Sequence, residues 1–258
     1  MPDRWMDKLS EMEEEAEKLV LYLAGIPGRK LRAASLEAKL SGMETEEIAA
    51  LLNHICQKAK DREPSYLKAY HALPELLRSP AFHRGKILHL RAAARRKDYV
   101  EVLQMFLDLP PQKLPAVNPD GPEDPFWKDL TLGHRKSLAK SPKMDVIRKL
   151  LKDQEPAVIR DLLLNARLTE ADILKIASLK PTSPQVLEEI FRSPKWIARY
   201  RVKKALVCNP YCPPSIAVHL LKFLLIGDLR DIVGFENLHP AVKEASHQLL
   251  AERRGKAG

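Results

Sequence analysis

Proline, any residue, then valine or isoleucine recurs four times in the second half of this chain: Pro156-Ala157-Val158, Pro184-Gln185-Val186, Pro214-Ser215-Ile216 and Pro240-Ala241-Val242. The steps between them are 28, 30 and 26 residues. Proline lacks the N–H that a helix interior or a sheet ladder needs. At the first position of a helix that N–H has no intrahelical partner anyway, and the fixed φ starts the turn. Each corner therefore reads as a helix start. Apolar pairs follow four residues apart: Val158, Ile159, Leu162 and Leu163 in one unit, and Ile216, Ala217, Leu220, Leu221, Leu224 and Leu225 in another. Such a double-width stripe buries one face against neighbouring helices. Between the corners, "TEADILKIASL" offers Thr169 as N-cap, Glu170 and Asp172 in the first turn, and Ile173 and Ile176 inside. "PKWIARYRVKKALV" puts Ile197, Ala198, Val202, Ala205 and Leu206 on a buried face. A near-constant step of this length is how stacked helices, an α-solenoid, show themselves in sequence.

Composition extends the helical reading to the whole chain. Its 258 residues are 45% hydrophobic, with 20 prolines and only 10 glycines, and long β-branched or aromatic runs are missing. The expected class is all-α. No apolar run reaches the length needed to cross a bilayer, so no membrane partner is expected. "MPDRWMDKLSEMEEEAEKL" turns acidic at once and has no secretory apolar region. Cys56, Cys208 and Cys212 are too few for a disulfide framework. A cytoplasmic protein is the expectation.

"LPPQKLPAVNPDGPEDPFW", Leu109 to Trp127, holds six prolines and cannot be helical. It divides the chain into an N-terminal helical region, 1–108, a proline-rich linker, 109–127, and a repeat domain, 128–258. About six helices are expected before the linker. Trp5, Leu9, Met12, Ala16, Leu19 and Leu23 form a stripe on the first, opposite the solvated "EMEEEAEK". Thr45 reads as an N-cap ahead of Ile48, Leu51, Leu52 and Ile55. Pro64 and Pro74 read as helix starts, and Arg84 to Asp108 as two helices or one bent one. Gly25-Ile26-Pro27-Gly28-Arg29-Lys30 lacks the Walker spacing and follows a helix, which makes it a helix-ending turn. Residues 1–125 carry 19 Lys+Arg against 20 Asp+Glu, whereas 126–258 carry 24 against 14. The positive field thus belongs to the repeat half, and an acidic partner meets that half first.

The stretches "LLKDQEPAVIRDLLLNARLTEADILKIA" and "ALVCNPYCPPSIAVHLL" resemble HEAT-like repeats, and more closely the leucine-rich repeat variant found in bacteria. That family favours Asn-Pro-x-Thr-Pro-Pro-Glu-Val-Leu corners. Asn209-Pro210 and Pro213-Pro214 match, Cys212 stands for the Thr and Ile216 for the Val; Asn165 with Leu168-Thr169 resembles a second form of the corner. The resemblance covers roughly 130–250 and implies a fold, not an activity. The founding member of the variant family carries an iron–sulfur cluster on an N-terminal cysteine group. This chain has Cys56 alone in that half, so the cluster is not carried over and no cofactor is expected.

Cys208, Cys212 and His219 have the spacing of a metal half-site but lack a second Cys/His pair, so buried structural thiols are expected. HExxH, DxDxDG and GxSxG are all absent, and nothing argues for nucleophilic or acid–base catalysis. The strongest polar feature is "RSPKWIARYRVKK", Arg192 to Lys204, with six basic residues and no acid. On a helix beginning near Lys195, residues Trp196, Arg199, Tyr200 and Lys203 share a face opposite Ile197, Val202 and Ala205. Arg192, Lys195, Trp196, Arg199, Tyr200, Lys203 and Lys204 are therefore the candidate binding residues. Cations among aromatics suit a nucleic acid; alternatively, Trp196 and Tyr200 fill the gap to the next repeat and the cations face solvent. A second basic run, Arg91 to Lys97, reads as a solvated face. The expected function is a non-enzymatic scaffold whose basic repeat surface binds a partner protein with an acidic face. The alternative is nucleic-acid binding, with a resemblance to HEAT-like DNA glycosylases for alkylated bases. That resemblance implies a Trp, an Arg and an Asp in the concavity. Trp196, Arg199 and Tyr200 are the residues to offer, and none of Asp161, Asp172, Asp228 and Asp231 stands out as the acid.

Overall fold

The computed structural model describes residues 3–82, 84–115 and 130–255. Among them are sixteen α-helices, one 3₁₀ turn (Pro80–Phe82) and no strand. No helix among the described residues is long and apolar enough to cross a membrane. The chain forms two compact units: residues 1–107 with 252–258, and residues 108–251.

The first unit contains α1 (Asp3–Gly25), α2 (Arg29–Leu40), α3 (Thr45–Lys60), α4 (Pro64–Leu76), α5 (Arg84–Arg96) and α6 (Val100–Gln104). Helix α4 packs on α1, α2 and α3, and α3 packs on α5 and α6. Val20, Leu23, Leu36, Leu40, Leu52, Ile55, Leu73 and Leu90 fill the core. The side chains of Trp5, Leu9 and Met12 lie outside the described set; of the rest of that stripe, Ala16 and Leu23 are buried and Leu19 half-buried. The turn after α1 needs Gly28, whose φ of 76° is the left-handed region that favours glycine. Arg32 secures this turn: its guanidinium donates to the carbonyls of Leu23 (2.9 Å), Ile26 (2.9 Å) and Lys68 (3.1 Å). Lys60 is buried between Glu101 (2.6 Å) and Glu252 (2.8 Å).

Two local expectations are corrected here. The cap of α3 is Glu44, one residue earlier than expected, in a capping box with Glu47. Thr45 already has helical conformation, and the Glu44 N–H donates to Glu47 Oε2 at 3.2 Å. Pro74 lies inside α4 instead of starting a helix. It falls in the last turn, where it removes one i→i−4 hydrogen bond and the helix ends two residues later.

The second unit contains α7 (Leu132–Ala139), α8 (Met144–Leu150), α9 (Pro156–Leu163), α10 (Glu170–Ser178), α11 (Pro184–Arg192), α12 (Pro194–Ile197), α13 (Tyr200–Val207), α14 (Pro214–Leu221), α15 (Ile226–Gly234) and α16 (Pro240–Gly255) up to Ala251, the last turn of α16 being counted with the first unit. All four Pro-x-(Val/Ile) corners start helices, at the proline itself. Thr169 and Asp172 form the capping box of α10. Helix α9 packs on α7 and α11, α10 packs on α13, and α13 packs on α14.

Two asparagines do the same work at different corners. Asn165, after α9, donates from Nδ2 to the carbonyls of Ala139 (2.8 Å) and Ser141 (2.9 Å) at the end of α7. Asn209, after α13, donates from Nδ2 to Ala177 (2.8 Å) and Leu179 (3.1 Å) at the end of α10. Each Oδ1 accepts the N–H two residues on, from Arg167 (2.9 Å) and Tyr211 (3.0 Å). The amide thus closes its own turn and pins it to the helix packed alongside.

Of the proline-rich linker, residues 116–127 lie outside the described residues. Residues 108–115 belong to the second unit, where the Lys113 N–H donates to the Pro210 carbonyl at 3.0 Å.

Asn209→Ala is expected to destabilise the chain by about 2–3 kcal/mol, because two carbonyls lose their partner and the turn loses its acceptor. Urea unfolding should show the midpoint fall with an unchanged slope. Asn209→Ala at wild-type stability would show that the corner carries no energy.

Candidate functional site

The candidate binding residues fall on a bend instead of one helix. Pro194 starts α12, which ends at Ile197, and Arg199 is extended (φ −74°, ψ 129°) before α13 begins at Tyr200. This break rotates the second helix relative to the first. The expected single face of Trp196, Arg199, Tyr200 and Lys203 is therefore not formed, and Ala198, expected inside, is exposed.

Trp196 is 3% exposed, and its indole N–H donates to the Leu163 carbonyl at the end of α9 at 2.9 Å. Lys203 is also buried; its ammonium turns back to the Ala198 carbonyl at 2.9 Å and lies 5.4 Å from the Phe223 ring centroid. Burial lowers its pKa to about 8. Tyr200 donates its hydroxyl to Asp228 and accepts the Leu225 N–H at 3.0 Å, which holds the start of α15. Lys204 pairs with the same carboxylate at 2.5 Å and with Asp231 at 3.6 Å. Burial raises the Asp228 pKa, but hydrogen bonds from Lys204 and Tyr200 outweigh it and leave the carboxylate below its usual range. Arg192 is tied to Glu188 (3.0 Å) and Glu189 (3.1 Å). Glu189 is itself buried and takes a two-pronged pair from Arg160, at 2.9 and 2.7 Å.

Lys195 and Arg199 remain exposed, Lys195 with its ammonium 4.2 Å from the Trp196 ring centroid. Arg201 is exposed beside them and was not singled out by the face assignment from sequence. Its only sequence signal was membership of the acid-free basic run. No acid lies in the first turn of α13. Cations at a helix N-terminus oppose its dipole, so Arg199 and Arg201 are not there to stabilise α13.

Elsewhere, Cys212 and His219 are buried and Cys208 is half-buried. Among the described residues no group of three or more His, Cys, Asp or Glu could hold a metal ion. Burial raises both the Cys208 and Cys212 thiols, which keeps them protonated and inert. Three of the aspartates considered for the glycosylase resemblance have structural partners, Asp172 the Thr169 cap and Asp228 and Asp231 Lys204, whereas Asp161 Oδ2 is buried, 3.9 Å from the exposed Lys140 ammonium and without a hydrogen bond. The basic run on α5 is mostly exposed, with Arg96 paired to Glu46 at 2.5 Å.

No known protein family, curated protein or solved structure matches this chain.

The Lys203 burial has a pH signature. Below about pH 8 the ammonium is charged in both folded and unfolded states, and its desolvation opposes folding in full. Between about 8 and the ordinary 10.5 the folded chain sheds the proton that the unfolded chain keeps, so stability rises with pH. The stability advantage of Lys203→Met over wild type should shrink by up to about 3 kcal/mol across that window. Urea titrations at a series of pH values measure this, and a difference independent of pH would refute it.

Proposed function

We propose that this chain is a non-enzymatic α-solenoid scaffold that binds the acidic surface of a partner protein through the α12–α13 bend. The repeat reading is supported by the four proline-started helices and by the equivalent duties of Asn165 and Asn209. The binding reading rests on one observation above all. At this bend the groups that could serve internal structure already do so, and Lys195, Arg199 and Arg201 are left facing solvent where the helix dipole disfavours them. Exposed cations of this kind steer an acidic partner and set its orientation. The nucleic-acid alternative keeps the cations but loses its stacking platform, since Trp196 is buried and the Tyr200 hydroxyl is engaged.

The test uses poly-L-glutamate and duplex DNA as probes. Lys195→Glu/Arg199→Glu/Arg201→Glu should weaken poly-L-glutamate binding at low salt at least about tenfold, while stability stays within about 0.5 kcal/mol, as for ordinary surface changes. Unchanged polyglutamate affinity in the variant would sink the proposal. Tighter binding to DNA than to polyglutamate, with a steep salt slope removed by the same substitutions, would replace it with the nucleic-acid reading.

A further inference from the structure

Three helix-end positions around the α12–α13 bend carry residues that their local structure does not call for. Arg199 is the N-cap of α13 and Leu225 the N-cap of α15, and neither makes a side-chain cap. Serine, threonine, aspartate and asparagine satisfy a helix start because their side chains accept an N–H, which a leucine cannot do. The Leu225 side chain is 50% exposed. Leu164, the C-cap of α9, is 80% exposed, more than any other large hydrophobic residue among those described. Its own N–H is held by the Asp161 carbonyl at 3.2 Å, and its side chain stands clear of the core.

Two hydrogen bonds set both leucines at the bend. The Trp196 indole holds the Leu163 carbonyl, one residue before Leu164. The Tyr200 hydroxyl takes the Leu225 N–H itself. Trp196 and Tyr200 stand on either side of the helix break, and the exposed Ala198 and Arg199 lie between them in the chain. Lys195 lies over the Trp196 ring, and Arg201 follows Tyr200. The acids attached to this region, Asp228 and Asp231, are paired with Lys204. A lone exposed leucine is ordinary on a protein surface. Two of them fixed at either side of a cationic break form a surface that is half apolar and half basic.

We infer that the partner of this bend is an amphipathic acidic segment, one that carries carboxylates and bulky aliphatic side chains along the same stretch of chain. The inference rests on the binding reading above and adds the apolar half of the ligand. Carboxylates meet Lys195, Arg199 and Arg201, which steer and orient the segment. Aliphatic side chains cover Leu164 and Leu225 and supply affinity that salt does not screen, unlike the exposed charge pairs. An anionic bilayer offers the same two chemistries in separate planes, headgroups over chains. Here an arginine stands between the two leucine anchors, which suits a segment with both chemistries interleaved.

The probes are two labelled peptides of equal charge, five repeats of Glu-Glu-Leu-Glu and five of Glu-Glu-Ser-Glu, followed by fluorescence anisotropy with the full chain. Wild type should bind the leucine peptide at least about tenfold more tightly than the serine peptide. Leu164→Gln/Leu225→Gln should lose that preference while keeping its affinity for the serine peptide and its urea midpoint. Leu31→Gln/Leu88→Gln, which alters two comparably exposed leucines of the first unit, should keep the preference. Equal affinity of wild type for the two peptides, a preference that survives Leu164→Gln/Leu225→Gln, or one lost in Leu31→Gln/Leu88→Gln would each overturn the inference and leave the basic bend standing. Phosphatidylserine vesicles bound through Leu164 and Leu225, with the two peptides not distinguished, would replace the segment with a lipid surface. A serine peptide that does not bind wild type at low salt would remove the basic bend, and this inference with it.

Discussion

An eight-residue helix leaves as many backbone groups unpaired as it pairs, four at each end, and the second unit is built largely from helices of about that length. Its stability therefore depends on how helix ends are satisfied more than on the helices themselves. At the N-termini the solutions are local: prolines delete a donor, and Thr169 and Glu155 accept N–H groups with their side chains. At the C-termini they come from a distance. Asn165 serves the end of α7, Asn209 the end of α10 and Trp196 the end of α9, and Lys203 serves the end of α12. Each of these donors sits on or beside a different helix from the one it caps, so satisfying an end also fixes a neighbour. Arg32 does the same for α1 within the first unit.

This constraint explains which side chains are available for binding. Trp196 and Lys203 have the composition of a ligand-binding pair and the surroundings of caps. A donor on a long or rigid stem is what a buried carbonyl at a helix end requires, and the apolar part of the same side chain fills the space around it. Tyr200 and Lys204 are spent in the same way on Asp228, which joins α13 to α15. Of the cations that remain, Lys195 lies over the Trp196 ring, whereas Arg199 and Arg201 do none of these jobs. Their position is explained by neither packing nor capping, and that residue of unexplained charge carries the binding argument.

How much of this was legible in sequence depended on how far each interaction reaches along the chain. The proline corners were legible because their effect acts within one turn, and the Thr169 box because it spans three residues. Asn165 and Asn209 could be marked as corner residues, but the carbonyls they hold lie 24 to 32 residues away and no local pattern points to them. The face assigned to Trp196, Arg199, Tyr200 and Lys203 failed for a related reason. Their spacing fits one helix, and nothing at Ala198-Arg199 resembles a breaker, since neither is glycine or proline. The break comes from tertiary demand: Trp196 must reach Leu163 while Tyr200 reaches Asp228. Pro74 shows the converse limit: its local preference is for a helix start, and it nevertheless lies in the last turn of α4, whose packing on α1, α2 and α3 no local pattern reveals.

The proposed basic site depends on a carboxylate that its ligand would not touch. Asp228 accepts from Tyr200 and Lys204 and so bolts α13 against α15. That bolt fixes where α13 begins, and with it where Arg199 and Arg201 stand at the electropositive end of the helix. Under the proposed function, loss of Asp228 would therefore disturb binding by moving the cations, with the cations themselves intact.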